Sequence, residues 1–363
     1  MRSSIVKVGL VMYGSLDTIS GGYLYDRMLV SHLRGQGDQV DVISLPAGAY
    51  AAHLLQNLWF RLDGAWDILL QDELCHPSLL AQNARRRSSP VIGIVHNLSS
   101  EGTRPQAGQQ ALRRLVEREY LRGLDGYIFN SSTTREAVLA LHGAAKPHVI
   151  ASPGGDRLGE SSLDAIEARA KESGPLRLLF LANVVPGKGL DVVLRALQEL
   201  PAADYQLDVI GSCDAESLYA RRMQSRAAAA SLPVHFRGPL DGRALADVLQ
   251  HSHVLVLPSY YEGYGIAFLE GMAHGLPALG TTAGAMPEVI SHGENGFLVR
   301  PGDSAALARH LKTLASDRSL LARMGTKAFQ KYRSSPTWRQ TTARIREFLV
   351  ETIERGQSAG SQG

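Results

Sequence analysis

The chain has 363 residues, 44 % of them hydrophobic and 20 % charged, with a formal net charge of +3. That length exceeds what a single hydrophobic core serves, so two domains are expected, and the small net charge gives no reason to expect nucleic acid as a partner. The two cysteines, Cys75 and Cys213, lie far apart and in no metal-ligand spacing; this excludes a disulfide framework and fits a reducing, cytoplasmic setting. No apolar run approaches the ~18 residues needed to span a bilayer. The opening "MRSSIVKVGLVMYG" is interrupted by Lys7 and no small-residue cleavage site follows, so it reads as a first strand rather than a signal peptide. Strand and helix patterns then alternate. "YLYDRMLVSHLRGQG" is amphipathic and ends in glycines, "QVDVISL" is a strand, "AAHLLQNLWFRL" a helix, "DILLQ" a strand and "PSLLAQNARRR" a helix. "PVIGIVH", "GYIFNS" and "HVIASPGG" continue the strands, with helices at "QQALRRLVEREYLRGL" and "STTREAVLALHG" between them. Short apolar runs separated by helices call for a parallel sheet covered on both faces.

The polar stretch "DRLGESSLDAIEARAKESGP" interrupts this alternation and reads as a linker, residues 156–175. The pattern restarts at "LRLLFLANV" and runs through "GLDVVLRALQEL", "YQLDVIGS", "AESLYARRMQSRAAAA", "PVHFRG", "RALADVLQHS", "HVLVLPS", "LPALGT" and "GFLVRPGD". The expected organisation is a first α/β domain over residues 1–155, a second over 176–335, and a closing helix over 336–355 packing back towards the first. A small, polar, disordered tail over 356–363 follows. Ligands of such sheets bind beyond the carboxyl ends of the strands, and two such domains suggest a cleft between them.

Several signatures are missing. Gly14 is followed by "SLDTISGG", so no Gly-x-Gly-x-x-Gly follows the first strand. There is no P-loop, no His-Glu-x-x-His and no Gly-x-Ser-x-Gly nucleophile elbow, and no metal is expected. What stands out is "SYYEGYGIAFLEGMAHGLP", an apolar segment holding Glu262 and Glu270. If the residues between are helical, the two carboxylates stand about 12 Å apart along the axis. That is too far for one proton or one compact metal and suits two hydroxyl-bearing groups on an extended ligand. Gly263 and Gly265 let backbone amides approach such a ligand at a helix N-terminus, where phosphate is favoured. Taken alone, the two glutamates are equally an N-cap followed by a solvated helix residue.

Glu262-x7-Glu270 within "LPSYYEGYGIAFLEGMAHGLPALGT" resembles the motif of retaining glycosyltransferase family 4. "GAMPEVISHGENGFLVRPGD", "VVPGKGLDVVLRAL" and "ISGGYLYDRMLVSHLRGQGDQVDVI" resemble its flanking segments, its pyrophosphate loop and its first glycine loop. The resemblance implies the GT-B architecture: two facing Rossmann-like, doubly wound domains with a C-terminal helical segment. It implies a nucleotide-sugar donor (UDP- or GDP-linked), no further cofactor, and a carbohydrate or lipid-linked acceptor in glycan, polysaccharide or glycolipid biosynthesis. It assigns Glu270 to the ribose, Glu262 with Gly263, Tyr264 and Gly265 to the donor sugar, and Lys188 to the diphosphate. Gly21 and Gly22 would close over the phosphates, and His96 would sit beside the transferred sugar. Without the resemblance, Lys188 also reads as a loop lysine and His96 as a strand-end histidine. An epimerase, a phosphorylase or a non-catalytic binding subunit on the same fold are the alternatives.

The chain departs from that pattern at Asn183, where the family has an arginine that shares the diphosphate charge with the lysine. Asn brings a hydrogen bond but no charge. Either another cation compensates, Arg237 on a neighbouring strand end being one candidate, or leaving-group stabilisation is weaker; Asp241 is a candidate guanine partner. Gly154 replaces an asparagine in the turn "SPGGD", both residues being tolerant of left-handed backbone. Arg85, Arg86 and Arg87, with Arg113 and Arg114, and Trp59, Phe60 and Trp66 near Arg61, make a surface that could touch anionic lipid at the inner face of a membrane. A solvated helix end with core aromatics is the alternative.

Overall fold

The computed structural model describes residues 5–85, 89–101, 107–143 and 145–360, which form two compact α/β units. The first unit comprises the chain up to Thr18, Gly22–Pro153 and the stretch from Arg339 on; the second comprises Ile19–Gly21 and Gly154–Trp338.

The first unit contains β1 (Lys7–Tyr13), α1 (Gly21–Gly35), β2 (Gln39–Leu45), α2 (Tyr50–Gln56), β3 (Ile68–Asp72), α3 (His76–Asn83), β4 (Val91–Val95), α4 (Ala107–Arg122), β5 (Gly126–Phe129), α5 (Ser132–His142) and β6 (His148–Ile150). Its six strands are parallel in the order β2-β1-β3-β4-β5-β6. β3 and β4 are buried throughout, as central strands covered on both faces must be, whereas edge strand β2 alternates with solvent. α2 stops before the apolar run that sequence periodicity would have continued. Asn57 ends it by donating from Nδ2 to the carbonyls of Leu54 and Pro77 and accepting from Ala81 N, which ties the helix end to α3.

The second unit contains α6 (Leu163–Ala170), β7 (Leu176–Leu181), α7 (Leu190–Leu197), β8 (Tyr205–Ile210), α8 (Ser217–Ala229), β9 (Val234–Gly238), α9 (Gly242–His251), β10 (Val254–Val256), α10 (Ile266–Ala273), β11 (Ala278–Thr281), α11 (Met286–Val289), β12 (Gly296–Val299), α12 (Ser304–Ser316) and α13 (Arg318–Ser334). Its strands are again parallel, in the order β12-β11-β10-β7-β8-β9. The stretch read from sequence as a linker carries α6, with Ile166 and Arg169 buried and Arg169 donating to the carbonyls of Gln250 and His274.

The last helix, α14 (Trp338–Gly360), reaches into the stretch expected to be a disordered tail. From Arg339 on it belongs to the first unit, burying Ile345 and Leu349. Its Arg346 forks onto the fully buried carboxylate of Asp38, Nε to Oδ2 at 2.7 Å and Nη2 to Oδ1 at 2.9 Å. No described helix is long and apolar enough to cross a membrane.

Candidate active site

In the second unit the chain leaves β7 for β8 and β9 on one side, then returns to β10 on the other, so the strand order reverses between β7 and β10. A crevice opens at such a switch point beyond the carboxyl ends of the two strands. The segment after β7 delivers Asn183 and Lys188; the segment after β10 delivers Ser259 and Glu262 and leads into α10, which carries Glu270. The two segments are laced together by Tyr260 N donating to the Gly187 carbonyl at 2.9 Å.

Lys188 closes a single 3-10 turn, Pro186–Lys188, and Gly189 follows at φ +74°. A Cβ on Gly189 would stand 2.3 Å from the Pro258 carbonyl oxygen, so both conformation and space require glycine here. The turn aims Lys188 Nζ at Glu262 Oε1, 2.5 Å away, and Ser259 Oγ donates to the same oxygen at 2.7 Å. The loop carrying Glu262 is braced by Ala285 N donating to the Glu262 carbonyl. It ends in Gly263, Tyr264 and Gly265, and Gly265 caps α10 at φ +84°.

Glu270 is one helical stretch further on and almost fully enclosed. Arg157 donates to its Oε1 through both Nε (3.1 Å) and Nη2 (2.8 Å). Burial pushes the Glu270 carboxyl up from its ordinary value, and the charge and hydrogen bonds of Arg157 pull it part of the way back. Glu262 and Glu270 therefore share one design. In each, Oε1 is occupied by a cation, while Oε2 takes no hydrogen bond among the described residues.

Asn183 does not stand in for a cation. Its Oδ1 accepts from Ser212 N at 3.0 Å and its Nδ2 donates to the Ile19 carbonyl at 2.9 Å, so its amide braces backbone. Arg237, the candidate for compensation, pairs with Asp208 at 2.7 Å on the β8–β9 edge. Asp241 is exposed at the start of α9. The glycine at position 154 is required for space rather than for left-handed backbone, since φ there is not positive. A Cβ would meet Trp338 N at 2.3 Å.

The first unit reverses its strand order between β1 and β3, and the ends of β1, β3 and β4 carry a second polar cluster. His96, just past β4, sits over Gly22, whose Cβ would be 3.2 Å from the imidazole Cδ2. Its Nε2 pairs with Asp26 Oδ1 at 3.1 Å, and the ring meets Tyr25 edge-on at 5.0 Å. Asp26 is fully buried, and its other oxygen has no partner. Burial would lower the His96 pKa, but the charge and hydrogen bond of Asp26, with the charge of Asp72, outweigh it and hold the imidazole up. Asp72, buried at the end of β3, is itself pushed up, first by burial and then by Asp26.

Sequence reasoning missed Asp26, Asp72 and Arg157. Asp26 lies one helical turn after Gly22, on the same face of α1, which is the signal that could have found it. Beside this cluster Glu73, His76 and Glu117 are all buried. Burial carries both glutamates up to about 8, each also raised by the other or by Asp72, while burial lowers His76. Glu117 accepts from Ser99 N and Ser100 Oγ, and His76 Nε2 pairs with Tyr50 at 3.0 Å. In each of the two clusters, Asp26–Asp72–His96 and Glu73–His76–Glu117, three potential ligand atoms lie within 4.8 Å of one another, so each has the donor set of a divalent-cation site.

Of the surface proposed for lipid, Trp59 is exposed together with Leu55 and Leu58, and Leu112 and Leu115 are exposed on α4. Trp66 and Phe60 are instead partly buried against the core, Trp66 Nε1 donating to Asp41 at 2.8 Å. Arg86 and Arg87 fall outside the described residues.

Comparison with known proteins agrees with this geometry. A family profile described as "Glycosyl transferases group 1" matches residues 163–331, the span that holds Lys188, Glu262 and Glu270. The chain belongs to glycosyltransferase family 4. The D-inositol 3-phosphate glycosyltransferase of Streptomyces avermitilis is 31 % identical over 268 residues, 68 % of this chain and 57 % of that protein. The chain thus spans well under two thirds of that relative's length. The phosphatidyl-myo-inositol mannosyltransferase of Mycobacterium leprae is 27 % identical over 90 % of this chain and 93 % of its own length. Among solved structures, sucrose-phosphate synthase from Thermosynechococcus elongatus superposes with a TM-score of 0.80 over 96 % of this chain and 100 % of that chain, at 19 % identity. The family 4 chain therefore has the GT-B fold.

Proposed function

We propose that the protein transfers a sugar from a UDP- or GDP-sugar to a hydroxyl of a carbohydrate or lipid-linked acceptor, with retention of the anomeric configuration. The observation that carries this reading is the pair of enclosed carboxylates at the switch point, each with one oxygen held by a cation and the other open. Glu270 takes the ribose hydroxyls and Glu262 the hydroxyls of the donor sugar. Lys188 and the amides around Gly263, Tyr264 and Gly265 at the start of α10 meet the diphosphate. As the bond to the leaving phosphate breaks, negative charge grows there, and a lysine with a helix N-terminus stabilises it without calling on a metal. Lys188 would then exchange its partner, Glu262, for the phosphate.

In this reading His96 acts on the transferred sugar, and Gly21 and Gly22 belong to the phosphate-side loop. The departing phosphate oxygen takes the acceptor's proton in a front-face attack. The names of the two relatives favour an acceptor bearing a phosphorylated inositol. The exposed Leu55, Leu58 and Trp59, with the basic α4, suit peripheral contact with an anionic membrane surface.

The test is a binding panel of UDP- and GDP-sugars, followed by mass analysis of products formed from the best donor with inositol phosphate, phosphatidylinositol or simple sugars. A glycosylated acceptor is expected. Donor epimerised without acceptor, or donor bound and left unchanged, would overturn the reading.

A further inference from the structure

The segment that follows the crossover into the second unit is fixed on both sides of Arg157. Asp156 Oδ1 accepts from Trp338 N at 2.8 Å. Gly155 presses so closely on α10 that a Cβ would lie 2.7 Å from the Leu269 Cβ. Beyond Arg157, Leu158 is buried, Ser161 N donates to the Ala273 carbonyl at 3.1 Å, and Ser161 Oγ pairs with His274 Nδ1 at 3.0 Å. Arg157 therefore reaches Glu270 from a rigid base. Its two N–H groups fill both lone pairs of Oε1, and Oε2 keeps two lone pairs unspent.

We propose that Arg157 is a positioning residue for the nucleotide: by saturating Oε1 of Glu270 it presents Oε2 alone to the adjacent hydroxyls of a ribose. This deepens the donor-site reading above and rests on it. Arg157 also supplies a counter-charge that opposes the upward push of burial on this carboxyl, and the ionised form leaves both lone pairs of Oε2 free to accept. On the elements packed against α10, Asp156 accepts from Trp338 N, Arg318 and Arg333 of α13 bond to the Gly174 carbonyl and to Glu160, and Arg323 and Lys327 of α13 do not bear on Glu270. Arg169 bonds to the carbonyls of Gln250 and His274, His274 to Ser161, and Lys331 of α13 to the Glu288 carbonyl. Arg157 is the one charged group that bears on Glu270 among the described residues.

The experiment is titration of the whole protein with UDP and GDP between pH 5.5 and 8.5, for the wild type, Arg157→Gln, Arg157→Lys and Glu270→Ala, each checked by thermal melting. Affinities are compared as ratios to wild type at each pH, which removes the titration of the nucleotide's own phosphates. Arg157→Gln is expected to weaken binding about tenfold at pH 8.5 and about a hundredfold at pH 5.5, because the glutamate protonates more readily without its partner. Arg157→Lys should restore a flat ratio across the range, with part of the affinity. Unchanged affinity in Arg157→Gln overturns the proposal. So does a loss equal at every pH that lysine does not rescue, which would mark a direct contact or a purely structural role. Should Glu270→Ala itself bind normally, it is the ribose assignment that fails. A weak Glu270→Ala beside a normal Arg157→Gln rejects the inference alone.

Discussion

Glu262 receives Lys188 and Ser259 on the same oxygen, so the lysine has two tasks that removal would separate. In Lys188→Ala the diphosphate loses its cation and Glu262 loses its main partner. A charge-assisted bond lost in a water-poor site is worth about 3 kcal/mol, or about a hundredfold in rate. Transfer should nearly vanish and nucleotide affinity should fall with it. Glu262→Gln keeps the shape and an acceptor for Ser259, so it should cost transfer far more than affinity for the bare nucleotide. Turnover and nucleotide titration on both variants check this; equal losses in Glu262→Gln would put that residue on the nucleotide. Asp26 allows a second test. Asp26→Asn removes the charge that holds the His96 imidazole up, so His96 should titrate at a lower pH by NMR. Any limb of the pH–rate profile owed to His96 should move by the same amount, and an unmoved titration would show that Asp26 does not set the state of the ring. Glu262 and Glu270 could be singled out in the sequence because one loop and one helix set their spacing, whereas Lys188 came from the family resemblance, its contact with Glu262 spanning 74 positions. Arg157 was not, because its partner lies 113 positions away and only tertiary packing brings the two together.

At the scale of elements, the site depends on turns more than on the helices they join. The turn before α7 places Lys188 only because Gly189 can adopt φ +74° with its Cα against the Pro258 carbonyl. Gly189→Ala brings an unfavourable left-handed conformation and a collision with backbone that cannot yield by a rotamer change. The cost should exceed about 2 kcal/mol. Since the contact joins the loops after β7 and β10, nucleotide binding should weaken along with the melting temperature. Thermal melting with and without nucleotide measures both, and a stable variant with normal affinity would show that the turn tolerates another path. The alternation of strands and helices was readable because buried parallel strands are continuous apolar runs. Element ends were less so. α2 stops at Asn57 because one side-chain amide ties it to α3, and hydrophobic periodicity, which carries on into Trp59 and Phe60, contains no trace of that bond. The linker reading of 156–175 had a similar origin. α6 is polar in composition, yet Ile166, Ala170 and Arg169 are buried.

For the whole molecule, the largest carboxyl shifts fall in the first unit and the largest histidine shifts in the second, and this gives them opposite responses to pH. In the first unit Glu73 and Glu117 are carried up to about 8 by burial, and Asp72 is raised as well. Unfolded, these carboxyls lose their protons near pH 4 to 4.5, so between that range and about pH 8 the folded unit holds more protons than the unfolded chain. Their contribution is complete at low pH and is lost as pH rises through the folded values. In the second unit burial lowers His253 to about 3 and His274 to about 4. Unfolded histidine takes a proton near pH 6.5, so below that value the unfolded chain binds more protons and the folded unit loses stability as pH falls. Glu270, raised by burial, opposes this loss, but Arg157 limits its shift. The lowered histidines of the first unit, His53, His76 and His142, act only below about pH 6.5, and His96, held up by Asp26, adds to the loss above it. Above pH 6.5 the raised carboxyls of the first unit therefore act without opposition from its lowered histidines, and below it the lowered histidines dominate the second unit. From there to pH 8 the first unit should lose about 2 kcal/mol, and from there to pH 5 the second unit a similar amount, a shift of several degrees for units of this size. Scanning calorimetry at pH 5, 6.5 and 8 reads the transitions separately, because two units need not melt as one. Glu117→Gln should flatten the alkaline fall and leave the acid one, and His274→Gln should do the reverse. If both transitions move together at every pH, or if neither variant changes its own limb, the buried groups do not carry the pH response.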